Sequence, residues 1–392
     1  MADLKIGVVG YGMRGGLSRY AHNPGQGSAV VALCDPSPKS AERFAERFGR
    51  EASVDTDLES FVQRGLDAAF VISPDYLHYE HAKFLLEHDI AVYLEKPMAI
   101  STADADDLLE TARTRGGRLY LGHNMRHMPF VRKMRELIQD GAIGEPKAGW
   151  CRHFVSMGGD YYFCDWHADR TKANTLLLQK GAHDIDILHW LMGSYTASTS
   201  AVGDLMVYGD PAMRREPGPD WTPWQERDEP LTGRWPHHTM RDLNPVVDVE
   251  DVSMMLMTLQ NGAFASYQQC HFAPDYWRSY TIIGTEGRIE NFGNGEAGSS
   301  VHLFNKRTDG YQPDAATVFA LDVKEGSHGG ADPLTVAEFL RYVRDGGHTD
   351  TSPVAARYAV AAGCAAAESI RGGGGRVDVT PVPESLAAYF GE

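Results

Sequence analysis

The chain has 392 residues, a hydrophobic fraction of 43%, a charged fraction of 23% and a formal net charge of −16. That length exceeds one ordinary hydrophobic core and implies two domains. The acidity disfavours nucleic acid and anionic membrane as partners, since both require a basic face.

The first element is a short apolar strand at Ile6–Val9 that runs into Gly10-Tyr11-Gly12-Met13-Arg14-Gly15. Strand, G-x-G-x-x-G and helix form the dinucleotide fingerprint. Gly10 permits the tight turn, Gly12 lets backbone approach a pyrophosphate, and Gly15 lets helix pack on strand. The phosphates are expected on the unpaired N–H groups at the helix start, beside Met13 and Arg14. A second strand, Ala29–Leu33, ends at Asp35, the position of the carboxylate that grips ribose hydroxyls. Pro36, Ser37 and Pro38 follow with no Arg to neutralise a 2′-phosphate, which favours NAD over NADP.

Strands and helices alternate onward: helix 40–48, strand 67–72, helix 79–88, strand 91–94, helix 102–115 and strand 119–121. This rhythm predicts a doubly wound parallel sheet of Rossmann type, with ligands beyond the carboxyl ends of its strands. At those ends lie Ser73-Pro74-Asp75, Glu95-Lys96-Pro97 and Gly122-His123-Asn124. Beyond about residue 145 the pattern changes to longer strands at 148–154, 198–207, 252–259, 263–272, 280–283 and 288–291, with an Asn261-Gly262 hairpin signal. Helices are expected at 131–139, 176–192, 333–345 and 354–371. The reading is an NAD(P)-binding Rossmann domain over 1–124. A substrate-binding α+β domain with a mostly antiparallel, open sheet is expected over 125–392. Residues 209–245, proline-rich and carrying Trp221, Trp224 and Trp235, read as an extended arm or lid.

Five scattered cysteines without C-x-x-C spacing predict a reducing cytoplasm and no zinc knuckle. No apolar leader precedes the first strand, and no apolar run is long enough for a bilayer.

Chemistry is expected at two places. Lys96, at a strand end near the expected nicotinamide, suits hydrogen bonding to a substrate hydroxyl, transfer of its proton and polarisation of the resulting carbonyl. On one helix over 176–192, Gln179, His183 and Asp186 would share a stripe, with Lys180 adjoining His183. His183 has the pKa range of a proton acceptor. His189 reads as structural, and no third ligand accompanies His183 and Asp186, so no metal is expected. Arg126, Tyr161, Trp166, His167, Arg170, Tyr276, Arg278 and His328 supply stacking surfaces and donors for a polyhydroxylated ligand, Trp166 for the sugar ring or the nicotinamide.

These residues resemble the glucose–fructose oxidoreductase / inositol dehydrogenase / MocA family. The likeness spans Gly10, Gly12 and Gly15, Ser73-Pro74-Asp75 with His78, Glu95-Lys96-Pro97, Asn124-x-Arg126 and Gly144-Glu-Pro146. It continues through His183-x2-Asp186 with Gly193, and Gly284-Thr-Glu-Gly287. The resemblance implies Lys96 and His183 as the catalytic pair, and Ser73, Pro74, His78, Glu95 and Asn124 around the cofactor. It also implies a carbohydrate or cyclitol substrate, and a homodimer or homotetramer. One position departs. Many family dehydrogenases carry Asp four residues before the catalytic His, where this chain has Gln179, followed by Lys180. A neutral amide cannot raise the basicity of His183 as a carboxylate would, and Lys180 brings a positive charge suited to an alkoxide, an enolate or an anionic substrate group.

The expected activity is NAD-dependent hydride transfer from a ring secondary alcohol of a sugar, sugar derivative or cyclitol, with Lys96, His183 and Lys180 at the chemistry. The alternative is an NAD-dependent redox glycosidase that oxidises, eliminates, hydrates and reduces with NAD retained. A non-catalytic dinucleotide sensor is the third reading, disfavoured by the intact Lys96 and His183.

Overall fold

A computed structural model describes residues 2–216, 240–314, 316–323 and 327–392. The chain begins β1 (Leu4–Val9), β2 (Ser28–Cys34), α1 (Pro38–Phe48), β3 (Ser53–Asp55), α2 (Leu58–Val62), β4 (Ala68–Val71), α3 (His78–Glu87), β5 (Ala91–Leu94), α4 (Thr102–Arg115) and β6 (Leu119–Leu121). It continues α5 (Pro129–Gln139), β7 (Pro146–Phe154), α6 (Arg170–Ala173), α7 (Leu176–Gln179), α8 (Gly181–Met192), β8 (Thr196–Asp204), β9 (Val252–Leu259), β10 (Phe264–Cys270), β11 (Trp277–Gly284) and β12 (Arg288–Phe292). The last elements are β13 (Ser300–Phe304), β14 (Thr317–Ala320), α9 (Ala331–Asp345), α10 (Pro353–Arg371), β15 (Val377–Asp378) and α11 (Glu384–Tyr389). Two compact units result. The first comprises Met1–His127, Gly326–Val360 and Val382–Glu392, and the second Met128–Glu325 and Ala361–Pro381.

The first unit holds a six-stranded parallel sheet in the order β3-β2-β1-β4-β5-β6. Strands β4 and β5 are buried at every residue, as a parallel sheet covered on both faces requires. Helix starts and stops follow local chemistry. The Ser37 side chain accepts the Ser40 N–H ahead of Pro38 in α1, and Ser101 caps α4, which ends on left-handed Gly116. The helix expected after the fingerprint is a 3₁₀ helix, Met13–Ala21, with Gly15 and Gly16 lowering α propensity in its first turns. Sequence pattern assigned α9 to the second domain, and the structure differs. Val336, Phe339, Leu340 and Val343 pack with Ile6, Phe70, Tyr93 and Tyr120 in the Rossmann core. A helical period shows that one face is apolar, not which sheet receives it.

Gly10 sits at φ +82°, and a Cβ there would lie 2.7 Å from the Ser73 Cα. Gly10→Ala is therefore expected to destabilise this unit by about 1–3 kcal/mol, measurable as a lower denaturation midpoint. A Cβ on Gly12 meets nothing within 4 Å, so Gly12→Ala should leave the midpoint almost unchanged and act on ligand binding.

The second unit is built on a nine-stranded sheet, β14-β13-β12-β11-β7-β10-β9-β8-β15, antiparallel except where β10 pairs with β7. Asn261-Gly262 forms the β9–β10 turn, with Gly262 at φ +84°. Helix α8 packs on β7 and β10. The opposite face carries exposed Val202, Leu256 and Phe264, in register with period-two alternation along the strands. The helix expected at 176–192 is two, α7 and α8, with Lys180 between them. A Cβ on Gly181 would lie 2.9 Å from the Tyr267 ring, so only glycine lets α8 begin this close to β10. Of the arm expected at 209–245, residues 217–239, with all three tryptophans, lie outside the described residues. Its described ends are joined, Arg215 N–H to the Leu243 carbonyl at 2.9 Å and Leu243 N–H to the Met213 carbonyl at 2.9 Å.

Candidate functional site

In the first unit the expected dinucleotide residues gather at the carboxyl ends of the strands. Gly10 N–H bonds the Cys34 carbonyl at 2.9 Å, closing the fingerprint turn onto β2. Asp35 is buried, and its two oxygens accept Tyr11 N–H at 2.7 Å and Ser37 N–H at 2.8 Å. Each oxygen keeps lone-pair capacity for a hydroxyl. His78 joins the end of β4 to the turn after β5, with Nε2 2.8 Å from the Ser73 carbonyl and Nδ1 2.7 Å from the Pro97 carbonyl. Burial pushes its pKa down against the pull of those two acceptors. Ser73 Oγ lies 2.9 Å from His81 Nδ1. Pro74 precedes the short helix Asp75–Leu77. Lys96 is half-buried, and its peptide bond to Pro97 is cis.

The sequence did not reveal the part played by Asp332. Arg14, expected beside the cofactor, pairs with Glu95 at 2.8 Å and with Asp332 at 3.0 Å. Burial lowers the Arg14 pKa, but the two carboxylates more than offset it and fix the charge. Asn124 Nδ2 donates to Asp332 at 2.7 Å, and its Oδ1 is buried with no hydrogen-bond partner among the described residues. Glu95 also accepts the Lys96 N–H at 3.1 Å, so Arg14 and Asp332 hold the backbone that presents Lys96. Arg126 is buried and donates to the Asp350 carbonyl at 2.6 Å. An open Gly12, an acceptor-rich Asp35 and the orphaned Asn124 oxygen suit a ligand with phosphates, ribose hydroxyls and a carboxamide, the parts of NAD.

In the second unit the centre is Asp184, not Asp186 of the expected stripe. Its Oδ1 forms an ion pair with Arg278, Nε at 3.0 Å, and accepts the Tyr280 hydroxyl, and its Oδ2 accepts from His153 Nδ1 at 3.0 Å. Burial raises the carboxyl pKa, and Arg278, His153 and Tyr280 overcome it to hold the group well below the usual carboxylate range. His153 is pushed down to about 3 by burial and by Arg278, so it is a neutral donor. A signal existed for this hub: Lys180 and Asp184 stand at i, i+4, and His153 shares the inward face of β7 with Cys151.

Lys180 is buried beside this hub. Its Nζ is 3.3 Å from the Tyr276 hydroxyl, 5.4 Å from the Tyr276 ring centre and 5.5 Å from that of Tyr162. Burial and Arg278 lower its pKa to about 7, opposed by Asp184. A buried lysine whose folded pKa is below its unfolded value destabilises the fold most below the folded pKa, and the penalty disappears as pH rises towards the unfolded one. Lys180→Met is therefore expected to stabilise the protein at pH 7 by about 1–4 kcal/mol, with a smaller gain at pH 9, read by denaturant melts at both pH values.

The aromatic segment is brought together as well. Trp166 stacks on His167 at 3.8 Å, Tyr161 lies 4.5 Å from His167, and Tyr162 lies 5.0 Å from His271. His183 and Asp186 are buried on α8. Arg170 is exposed and engaged by Asp248, whose carbonyl accepts its guanidinium at 2.6 Å. His189, read from the sequence as structural, has Nε2 2.7 Å from the Thr196 hydroxyl.

Residues 4–123 match a family model described as an oxidoreductase family NAD-binding Rossmann fold, and residues 135–379 match the same family's C-terminal alpha/beta domain. A Bacillus subtilis (strain 168) protein named as an oxidoreductase, YteT, is 26% identical over 79% of this chain and 82% of its own length. The 2,7-anhydro-N-acetylneuraminate hydratase of Mediterraneibacter gnavus is 30% identical over 55% of this chain and 56% of its own length. Among solved structures, levoglucosan dehydrogenase in complex with NADH and L-sorbose aligns with a TM-score of 0.77 at 20% identity. That alignment covers 97% of this chain and all of the other, and speaks to the fold.

Proposed function

Because the chain belongs to the glucose–fructose oxidoreductase / inositol dehydrogenase / MocA family of NAD-binding oxidoreductases, we propose that it oxidises a ring secondary alcohol of a sugar, sugar derivative or cyclitol. NAD, when bound, supplies the hydride acceptor. The observation that carries this reading is the presentation of Lys96. It stands at the end of β5 in a dinucleotide fold, on backbone fixed by Glu95 and Arg14.

Lys96 is assigned to hydrogen-bond the substrate hydroxyl and His183 to accept its proton, with Lys180 contacting substrate. Asp35, Ser73, Pro74, His78, Glu95, Asn124 and the fingerprint residues Gly10 to Gly15 hold the dinucleotide, Arg14 through Glu95. Trp166 is assigned to the nicotinamide or the sugar ring. Arg126, Tyr161, His167, Arg170, Asp186 and Arg278 are the remaining candidates for substrate binding. Of these, Arg278 acts through Asp184 and Arg170 is the most peripheral in its contacts.

The test is incubation of purified protein with NAD or NADP and a panel of sugars, cyclitols and aryl glycosides, following NADH absorbance and aglycone release together. Stoichiometric NADH from a free sugar or cyclitol supports the reading, and its absence across the panel would sink it. One observation favours a second reading, a redox glycosidase with no net consumption of NAD. Gln179 replaces the expected carboxylate, and Lys180 sits near neutrality beside a buried aromatic cluster. The named activity of the gnavus relative, a hydratase on an anhydro-sugar acid, points the same way. Aglycone release that requires NAD without NADH accumulation would establish it.

We assign the assembly as a homodimer or homotetramer, supported by the exposed apolar residues on one sheet face and testable by light scattering. The scattered, odd number of cysteines supports a cytoplasmic setting.

A further inference from the structure

Within the second unit, charge and hydrogen-bonding capacity do not balance. Arg278 and Asp184 compensate each other, and both Asp184 oxygens are occupied by Arg278, Tyr280 and His153. Lys180 is left with a phenol as its polar partner and has no carboxylate in ion-pair reach among the described residues. His271 is fully buried, and among the described residues neither ring nitrogen has a hydrogen-bond partner. Buried polar groups of this kind are satisfied by protein, by ordered water or by a ligand. Both side chains lie against the Tyr162 ring, Lys180 Nζ 5.5 Å and the His271 ring centre 5.0 Å from its centre, and α8 starts at Gly181, adding the positive end of its dipole.

We propose that Lys180 and His271, both lying against Tyr162, form a subsite for an anionic group of the substrate, a carboxylate carried on the sugar or cyclitol. The proposal rests on the oxidoreductase reading and deepens it by naming the substrate class. A carboxylate supplies what both residues lack, a negative charge for Lys180 and an acceptor for the His271 N–H. A neutral polyol supplies only the second. Lys180 is faced by Arg278 and Tyr276 from β11 and the turn before it, and by Asp184 from α8. His153 faces it from β7, His271 from the end of β10, and Tyr162 from the turn at Gly158–Tyr162. Of these, Arg278 and Asp184 keep their charges near neutrality and the two histidines stay uncharged. Titration of the subsite near pH 7 is therefore that of Lys180.

The test is calorimetric binding to the full chain saturated with NADH, which prevents turnover of an alcohol. The probes are D-glucuronate and D-galacturonate, each against its uncharged primary amide. The expected result is that at least one acid binds about tenfold or more tightly than its amide at pH 7. That preference should fall by up to about tenfold per pH unit above neutrality, as Lys180 deprotonates in the unliganded protein. Lys180→Met should abolish the preference, and Lys180→Arg should keep it and make it independent of pH, since guanidinium does not titrate there. Equal binding of acid and amide overturns the proposal, as does no binding of either acid, or a preference that survives in Lys180→Met. Oxidation of the acid probes with NAD is read separately. Its absence beside an intact acid preference counts against the oxidoreductase reading and leaves the subsite standing.

Discussion

Lys96→Ala is expected to lower kcat by roughly 10²–10⁴-fold, the range for loss of a positioned acid–base group, while the dissociation constant for NADH changes little. The separation follows from where the groups lie. The dinucleotide-facing features are Asp35 at the end of β2, the open fingerprint at Gly12 and the orphaned Asn124 oxygen, and none of these is held by the Lys96 side chain. The Lys96 backbone is fixed by Glu95, and Glu95 by Arg14, so truncation beyond Cβ leaves the turn in place. Lys96→Arg should fail to rescue, because the planar guanidinium fork cannot place a donor on the hydroxyl as the compact ammonium does. Steady-state kinetics with fluorescence titration of NADH separates the two effects. A Lys96→Ala enzyme that keeps near wild-type kcat would remove Lys96 from the chemistry.

The first unit was largely legible in the sequence, because its signals are local. A run of apolar residues ending at Gly10, and another ending at Asp35, fixes a strand, a turn and a carboxylate with few degrees of freedom. Its strand ends were found within a residue or two, and so were the dipeptides that stand at them. Longer reach was not legible. Asp332 lies more than three hundred positions after Arg14, and no periodicity connects the two, yet their ion pair decides that Arg14 holds Glu95. The same limit misassigned α9, whose apolar stripe could not declare its sheet. In the second unit the stripe expected over 176–192 presumed one unbroken helix, where the chain forms two. The break at Lys180, and the close approach at Gly181, bring Asp184 to the centre of the charged cluster. His271 was invisible for another reason: one histidine just past a strand end has no pattern, and its meaning comes from the neighbours it lacks.

Asp184→Asn should have the largest effect on stability. The carboxylate is buried with Arg278, His153 and Tyr280 all directed at it. Removing its charge leaves the Arg278 guanidinium in the interior without compensation, a situation that costs about 3–5 kcal/mol. For a protein of this size, that corresponds to a fall in the thermal midpoint of about 4–6 °C. The sign of the pH dependence follows from the depressed folded pKa of Asp184. Its stabilisation is present above the unfolded carboxyl pKa of about 3.9 and is lost as pH falls through the folded value. The gap between wild type and Asp184→Asn should thus be full at pH 7 and narrow below pH 4. A companion variant identifies the cause. Asp184→Asn combined with Arg278→Met removes the stranded charge and should recover part of the loss, whereas a simple packing defect would worsen with a second core substitution. Denaturant melts of the two single variants and the double variant complete the cycle. An Asp184→Asn protein within about 1 kcal/mol of wild type, the worth of one ordinary hydrogen bond, would show that the cluster does not carry the stability assigned to it.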